Sequence, residues 1–246
     1  MKIVKDDFNS QIFKMEMGNV FIDNEIKSFE QFVAEEQEKK EHFNHLNLKV
    51  DTNNKLLLNF ALASGYYLVD TLVEYLFVKN KSILPKLEHK CCLRDFKKND
   101  LKEIKTIAKN SFKIDRFHSD TNLKYEDCDL YYEKWIENSC NGFAEKVIVA
   151  TYNNDIVGFT TGKTNKDEEY GHLVLSAVSD KYRGLGVYTS MIHQGIEWIL
   201  NEHPEKTGIL VGTQLNNIAV QKAWIKLGLT IFRSTYVLHK YLGKDC

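Results

Sequence analysis

The stretch Leu173-Val174-Leu175-Ser176-Ala177-Val178, followed by Arg183-Gly184-Leu185-Gly186-Val187-Tyr188, decides how this chain is read. His172 to Val178 has the composition of a β-strand. Beyond the glycines, Tyr188, Ile192, Ile196 and Ile199 recur at helical spacing, so a glycine-rich turn leads directly from a strand into a long amphipathic helix. Glycines let the backbone turn tightly. Several amide N–H groups at the helix start then converge on one point, where the helix dipole adds positive potential. A pyrophosphate fits such a turn. Arg-Gly-x-Gly by itself also serves close strand-helix packing, so its surroundings must decide.

Downstream, a short strand from Ile209 to Gly212 precedes Asn216-Asn217-Ile218-Ala219-Val220 and then Gln221-Lys222-Ala223-Trp224-Ile225-Lys226-Leu227-Gly228-Leu229. The spacing predicts a helix from Asn217 to Leu227, with asparagine at its start and glycine at its end as ordinary caps. Closing strands extend to about Tyr241. Upstream, Val147–Thr151 and Ile156–Thr161 are β-branched runs around Asn153-Asn154, a hairpin signature. Tyr125 to Asn138 reads as helical, with Leu130, Tyr131, Trp135 and Ile136 as apolar positions. Before it lie a polar loop, Lys113 to Asn122, a helix carrying Leu101, Ile104, Ile107 and Ala108 behind an Asn99-Asp100 cap, and a strand from Cys92 to Phe96.

Lys79 to Lys90 is charged and holds Pro85, one of two prolines, which marks residues 81–90 as a linker. Ahead of it, residues 1–80 read as a small α+β unit. The pattern there gives a short hairpin, a charged helix near Asp23 to Lys40 and a strand from His45 to Val50. A helix with Leu56, Leu57, Phe60 and Ala61 follows, capped by Asp51-Thr52 and stopped at Gly65, and then a strand from Tyr66 to Val78. Residues 91–246 form the second unit, and the fold class of the whole is α+β.

Composition narrows the function. The 246 residues are 43% hydrophobic and 27% charged, the values of an ordinary globular protein. With a net charge of -1 and both signs interleaved, there is no footprint for a phosphate backbone, so nucleic acid is not an expected partner. Met1-Lys2-Ile3-Val4-Lys5-Asp6-Asp7 turns acidic too early for a secretory signal, and no uncharged apolar run spans a bilayer, so a cytoplasmic place without membrane contact is expected. Cys91, Cys92, Cys128, Cys140 and Cys246 are odd in number and lack a C-x-x-C pair, so reduced thiols and no metal are expected.

Val178, Arg183, Gly186, Asn217, Ala219, Trp224, Lys226 and Gly228 fall in order on the signature of the GNAT superfamily of acyl-CoA N-acyltransferases, which the chain resembles from about Cys92 to Tyr241. Two positions depart from it: Tyr188 stands where the signature ends on Gly or Ala, and Trp224 stands where many members carry tyrosine. The N-terminal unit, the loop Asp115-Arg116-Phe117-His118-Ser119-Asp120, the segment Tyr132 to Ser139 and Gly212-Thr213-Gln214-Leu215-Asn216-Asn217 are similar to bacterial N-acyltransferases acting on dTDP-linked amino-dideoxyhexoses, the dTDP-fucosamine acetyltransferases among them.

The resemblance implies a central, mostly antiparallel sheet that splays and is flanked by helices. It also implies acyl-CoA as co-substrate without metal, a nucleotide-linked amino sugar as acceptor, and a homodimer. Pantetheine would lie along the strand edge at Ala177 and Val178, with the Val178 N–H holding the thioester oxygen as charge develops. Arg183 belongs to the implied coenzyme site, where the amides of Gly184, Gly186, Val187, Tyr188 and Thr189 would hold the pyrophosphate, with Asn217 at the pantetheine arm and Trp224 at the acyl pocket. A protonated sugar amine needs a base, for which His118 is the first candidate and His172 and Glu169 are alternatives. Indole is donor-only and no acid, so Tyr188 protonates the departing thiolate, the thiolate leaves unaided, or the chemistry is lost. Arg116 suits a diphosphate; Phe117, Tyr131 and Trp135 suit a stacked base or an acyl tunnel, though helical spacing equally gives Tyr131 and Trp135 a core role. Rival readings are a protein or polyamine acceptor and a non-catalytic acyl-CoA-binding module.

Overall fold

Alternating apolar strands and capped helices divide the chain, in a computed structural model that describes residues 1–23 and 25–243, into two compact units. Cys246 lies outside the described residues. One unit comprises Met1–Leu72, Asp115–Asp127 and the described chain from Arg233; the other comprises Val73–Ile114 and Cys128–Phe232. The loop at 115–127 and the last strand thus cluster with the N-terminal residues rather than within 91–246.

In the first unit, β1 (Lys2–Lys5), α1 (Asp7–Phe13) and β2 (Met17–Phe21) come first. The short hairpin expected between about Phe8 and Asp23 is not formed: α1 takes up the start of that stretch, and β2 pairs antiparallel with β1 instead, Lys2 opposite Phe21. The Asp6 carboxylate accepts from the Asn9 N–H and so nucleates that helix within seven residues, too short a span for periodicity to reveal. α2 (Phe29–Gln37) is shorter than the charge pattern of 23–40 implied, because Ser28 takes the cap. β3 (His45–Asp51) runs parallel to β2 and antiparallel to the last strand, β10 (Thr230–Tyr241). α3 (Lys55–Ala63) is capped by Asn54 and not by Asp51-Thr52, since Asp51 ends β3 and its carboxylate accepts from Asn53 N–H. Phe32, Leu46, Leu48, Ala61 and Leu238 are fully buried at the centre of this unit.

β4 (Tyr67–Val78) starts in the first unit and ends in the second. The second unit then adds β5 (Cys92–Asp95), α4 (Leu101–Ser111), α5 (Tyr125–Asn138), β6 (Lys146–Tyr152) and β7 (Asp155–Thr164). β8 (Tyr170–Val178), α6 (Val187–Glu202), β9 (Gly208–Gln214) and α7 (Ile218–Lys226) complete it, and β10 (Thr230–Tyr241), one strand where several were expected, begins here and passes at Arg233 into the first unit. The strands are ordered β4-β9-β8-β7-β6-β5, antiparallel from β5 to β8 and parallel between β8 and β9. Asn153 (φ 51) and Asn154 (φ 69) both turn left-handed between β6 and β7, the turn whose twist matches a hairpin. α6 packs across β6, β7 and β8, with Ile192, Ile196 and Ile199 buried at its underside.

Candidate active site

β8 sets the geometry of the second unit's site. Along one edge it stays paired to β7 as far as Gly158 opposite Val178. Along the other it pairs with β9 only from Tyr170 opposite Gly208 to Leu173 opposite Val211, although β8 continues to Val178 and β9 to Gln214. The two parallel strands therefore part after Leu173. The Ser179 N–H donates to Val157 O at 2.9 Å, and amides alternate edges along a strand, so the Val178 N–H is directed to the edge that β9 has left. On that same edge the Val178 carbonyl accepts from Ser111 Oγ at 3.5 Å. Ala177 and Val178 are themselves buried.

Four residues on, the chain turns. Gly184 (φ 79) and Gly186 (φ 80) both occupy the left-handed region, where a side chain is strained. Gly186 is the N-cap of α6 and offers no side-chain acceptor. The N–H groups of Val187, Tyr188 and Thr189 in the first turn have no intrahelical acceptor either, as in any helix, and the dipole of sixteen residues stands behind them. That arrangement fits a pyrophosphate. Arg183 carries its charge beside the turn and pairs with Asp180 at 2.7 Å, both exposed.

Tyr188 is partly buried against the core of the unit. Burial pushes its phenol well above the ordinary range, with the Trp224 indole pulling the other way, so it is a weaker acid than an exposed tyrosine. Trp224 is 3% exposed and tilts against Tyr75 at 5.4 Å between centroids. Asn217 stands at the N-cap of α7 without capping it; its Nδ2 donates instead to Thr213 Oγ1 at 3.0 Å. Tyr131 is buried and meets the half-buried Trp135 at 5.4 Å, and Tyr132 at 5.0 Å, in edge-on contacts, so both ring groups are built into helix packing. His172 pairs with Glu168 at 2.6 Å, while Glu169 accepts from Thr207 Oγ1 at 2.7 Å.

In the first unit, Asp115, Phe117 and Asp120 of the loop expected to be polar are buried. The Asp115 carboxylate accepts from the Phe117 N–H at 2.9 Å and lies 2.5 Å from His118 Nδ1. The His118 side chain is 1% exposed and packs edge-on against Tyr125 at 4.7 Å. Phe117 is 2% exposed, packed on Phe13 at 4.9 Å, and the Arg116 guanidinium lies over its ring at 4.5 Å. The carboxylate beside Nδ1 holds a proton on that nitrogen and orients the ring.

A polar network that sequence reasoning missed holds this loop. The buried Asp120 carboxylate accepts from His239 Nδ1 at 2.7 Å, Tyr67 OH at 3.0 Å, Tyr241 OH at 3.2 Å and the Asn122 N–H at 3.0 Å. Burial would raise its pKa, but the bonds from His239, Asn122 and Tyr67 hold it down at about 2. Beside it His45 is fully buried, edge-on to His239 at 4.4 Å, with neither ring nitrogen partnered among the described residues. Burial, and then the neighbouring His239, push its pKa down to about 3. These residues are scattered from 45 to 241 with no common spacing, so only one signal pointed here, the loop quoted as Asp115 to Asp120.

Residues 109–229 match the profile of the Acetyltransferase (GNAT) family. Over 146 residues, 59% of its length, the chain is 28% identical to the spore coat polysaccharide biosynthesis protein SpsD of Bacillus subtilis (strain 168), and it spans about half (49%) of that relative. In fold it is similar to a GCN5-related N-acetyltransferase from Sphaerobacter thermophilus, with TM-score 0.70 and 11% identity over all of this chain and 78% of that one. It is also similar to the glucosamine N-acetyltransferase region of a fungal multi-domain beta-N-acetylglucosaminidase, with TM-score 0.63 and 14% identity over 97% of this chain and 30% of that one. The parted strands, the uncapped helix start and these likenesses agree: the chain has the fold of the GNAT N-acetyltransferases, and its residues 109–229 match the profile of that family.

Proposed function

We propose that this protein transfers an acyl group from acyl-CoA to the 3- or 4-amino group of a nucleotide-linked amino-dideoxyhexose, by direct attack of the amine. The match to the GNAT profile supports N-acyl transfer, and the acceptor is our reading. The observation that carries it is the parting of β8 from β9 after Leu173, which leaves the Val178 N–H facing an open edge one turn ahead of the α6 amides. In this reading Arg183 and the amides of Gly184, Gly186, Val187, Tyr188 and Thr189 bind the coenzyme's pyrophosphate. Ala177 and Val178 orient its pantetheine arm beside Asn217. The Val178 N–H steadies charge on the carbonyl oxygen, and Trp224 walls the acyl side.

His118, oriented by Asp115 at its Nδ1, is the base in this reading. Arg116 is our candidate for the acceptor's diphosphate, while Phe117, Tyr131 and Trp135, named with it from the sequence, are taken up by ring packing. An acid at Tyr188 is disfavoured by its raised pKa, so the thiolate leaves unaided. The polysaccharide-biosynthesis name of the Bacillus relative supports a sugar acceptor, and we infer a functional division into an N-terminal unit (1–80), a connection (81–90) and a transferase domain (91–246).

The test is consumption of acetyl-CoA and longer acyl-CoAs across a panel of dTDP- and UDP-linked amino sugars, with polyamines and a lysine peptide as controls. Turnover with one nucleotide sugar alone supports the reading. Turnover confined to the controls replaces the acceptor, and binding of acyl-CoA without turnover on any amine replaces the enzyme by a binding module.

A further inference from the structure

The connection after β4 is built onto α6. From Ile83 to His89 it has no helix or strand, yet its contacts with α6 are specific. Pro85 O accepts from His193 Nε2 at 2.9 Å, the Lys90 N–H donates to Ser190 Oγ at 3.3 Å, and His89 Nε2 stands 3.3 Å from His193 Nδ1. One turn along α6, a Glu197 carboxylate oxygen lies 3.4 Å from the same Nδ1.

The carbonyl fixes the tautomer. Pro85 O only accepts, so His193 Nε2 carries a proton, and in the neutral ring Nδ1 is a bare lone pair. A hydrogen bond from His89 Nε2 accounts for one neighbour of that lone pair. The Glu197 carboxylate faces the same lone pair. A positive charge at this point resolves the conflict. Two imidazoles and a carboxylate converge there, all three donor atoms within 4.8 Å of one another. The 3.3 and 3.4 Å separations match the edge of a tetrahedron around an ion with bonds of about 2.0–2.1 Å, roughly 3.3–3.4 Å.

We infer that His89, His193 and Glu197 form a binding site for a divalent transition metal of the zinc class, which clamps the 83–90 connection to α6. Nitrogen donors select zinc or its neighbours over magnesium and calcium. His193 is 4% exposed and its outer N–H is already held by a carbonyl, the orienting contact that metal-bound histidines use. The three groups line a cavity of about 350 Å³ shared with Leu84 to Leu87, which leaves room for a water as fourth ligand. The clamp would hold the chain on the helix whose first turn we assign to the pyrophosphate; its existence does not depend on that assignment. The cluster of His45, Asp120 and His239 in the other unit is a poorer host, because Asp120 is already filled by hydrogen bonds and all three are sealed from solvent.

The experiment is equilibrium dialysis of the tag-free, chelator-treated full chain against zinc, read by elemental analysis. One zinc per chain is expected, with affinity lowered about a hundredfold in His89→Ala and in Glu197→Gln, both at partly exposed positions, and unchanged in His239→Ala. Because His193→Ala removes a buried group and risks unfolding, it is scored only alongside an unchanged circular dichroism spectrum. Cobalt taken up in place of zinc should show the absorption of a tetrahedral site, lost in the same variants. Absence of stoichiometric zinc overturns the inference in favour of a protonated His193. Zinc retained by both His89→Ala and Glu197→Gln, or lost in His239→Ala, overturns it as well.

Discussion

Leu173 of β8 lies opposite Val211 of β9, and beyond that pair the two strands share no further register. β8 runs five more residues against β7 alone, to Val178. A parallel ladder broken in this way exposes backbone donors and acceptors that the rest of the sheet consumes. On this account the coenzyme's amide-bearing arm takes them up, and the turn at Gly184 to Gly186 receives its phosphates.

Gly186→Val should weaken coenzyme A binding roughly tenfold, since a β-branched residue at φ 80 costs about 1–2 kcal/mol or distorts the turn. Titration calorimetry reads this directly. Wild-type affinity would remove the turn from the coenzyme site.

His118→Ala should lower turnover at neutral pH by roughly tenfold or more while leaving coenzyme affinity unchanged. Asp115→Asn should act in the same direction, because an amide no longer fixes the proton on Nδ1. Steady-state kinetics on the acceptor found above separates the two constants; full turnover in His118→Ala excludes it as the base.

Acid should destabilise the first unit in a defined window. The His45 pKa is depressed from 6.5 to about 3, mainly by burial and then by His239, with Asp120 raising it and Arg116 lowering it. Asp120 is depressed to about 2. Both groups bind protons better when unfolded, so their contribution is complete above the unfolded pKa values and is lost as pH falls, from about 6.5 downward for His45 and from about 4 downward for Asp120. Urea titrations from pH 7 to pH 4 should show stability falling, and His45→Phe should flatten that fall. An equal slope in the variant would contradict the assignment.

Gly228→Ala should destabilise the second unit by about 2 kcal/mol. Gly228 sits at φ 86, and a Cβ there would stand 2.5 Å from Ile83 O. Thermal melts check this; an unchanged midpoint would mean that the 83–90 connection yields at little cost.

Sequence reading reached the second unit further than the first. The helix at Tyr125–Asn138, the Asn153-Asn154 hairpin and the strand-turn-helix at Val178 to Val187 were legible because their periods and turn residues are local. α1 escaped because seven residues carry no periodicity, and α2 was overextended because charge does not mark a helix end as Ser28 does. The side of the sheet from which β9 departs is a property of register, which no single strand encodes. The same is true of the burial of His118 and Phe117, and of the Asp120–His239 pair, which joins residues far apart in the chain. His89 and His193 are 104 residues apart, so no spacing rule could have found them as a pair. The linker reading of 81–90 caught its composition but not its attachment to α6.

The most direct measurement is a crystal structure with coenzyme A. The account predicts its pyrophosphate within hydrogen-bond distance of the amide nitrogens of residues 184–189, with the pantetheine arm in the gap beyond Leu173 and Val211. Phosphates held elsewhere, or the Gly184–Gly186 turn filled by the protein's own side chains, would contradict it.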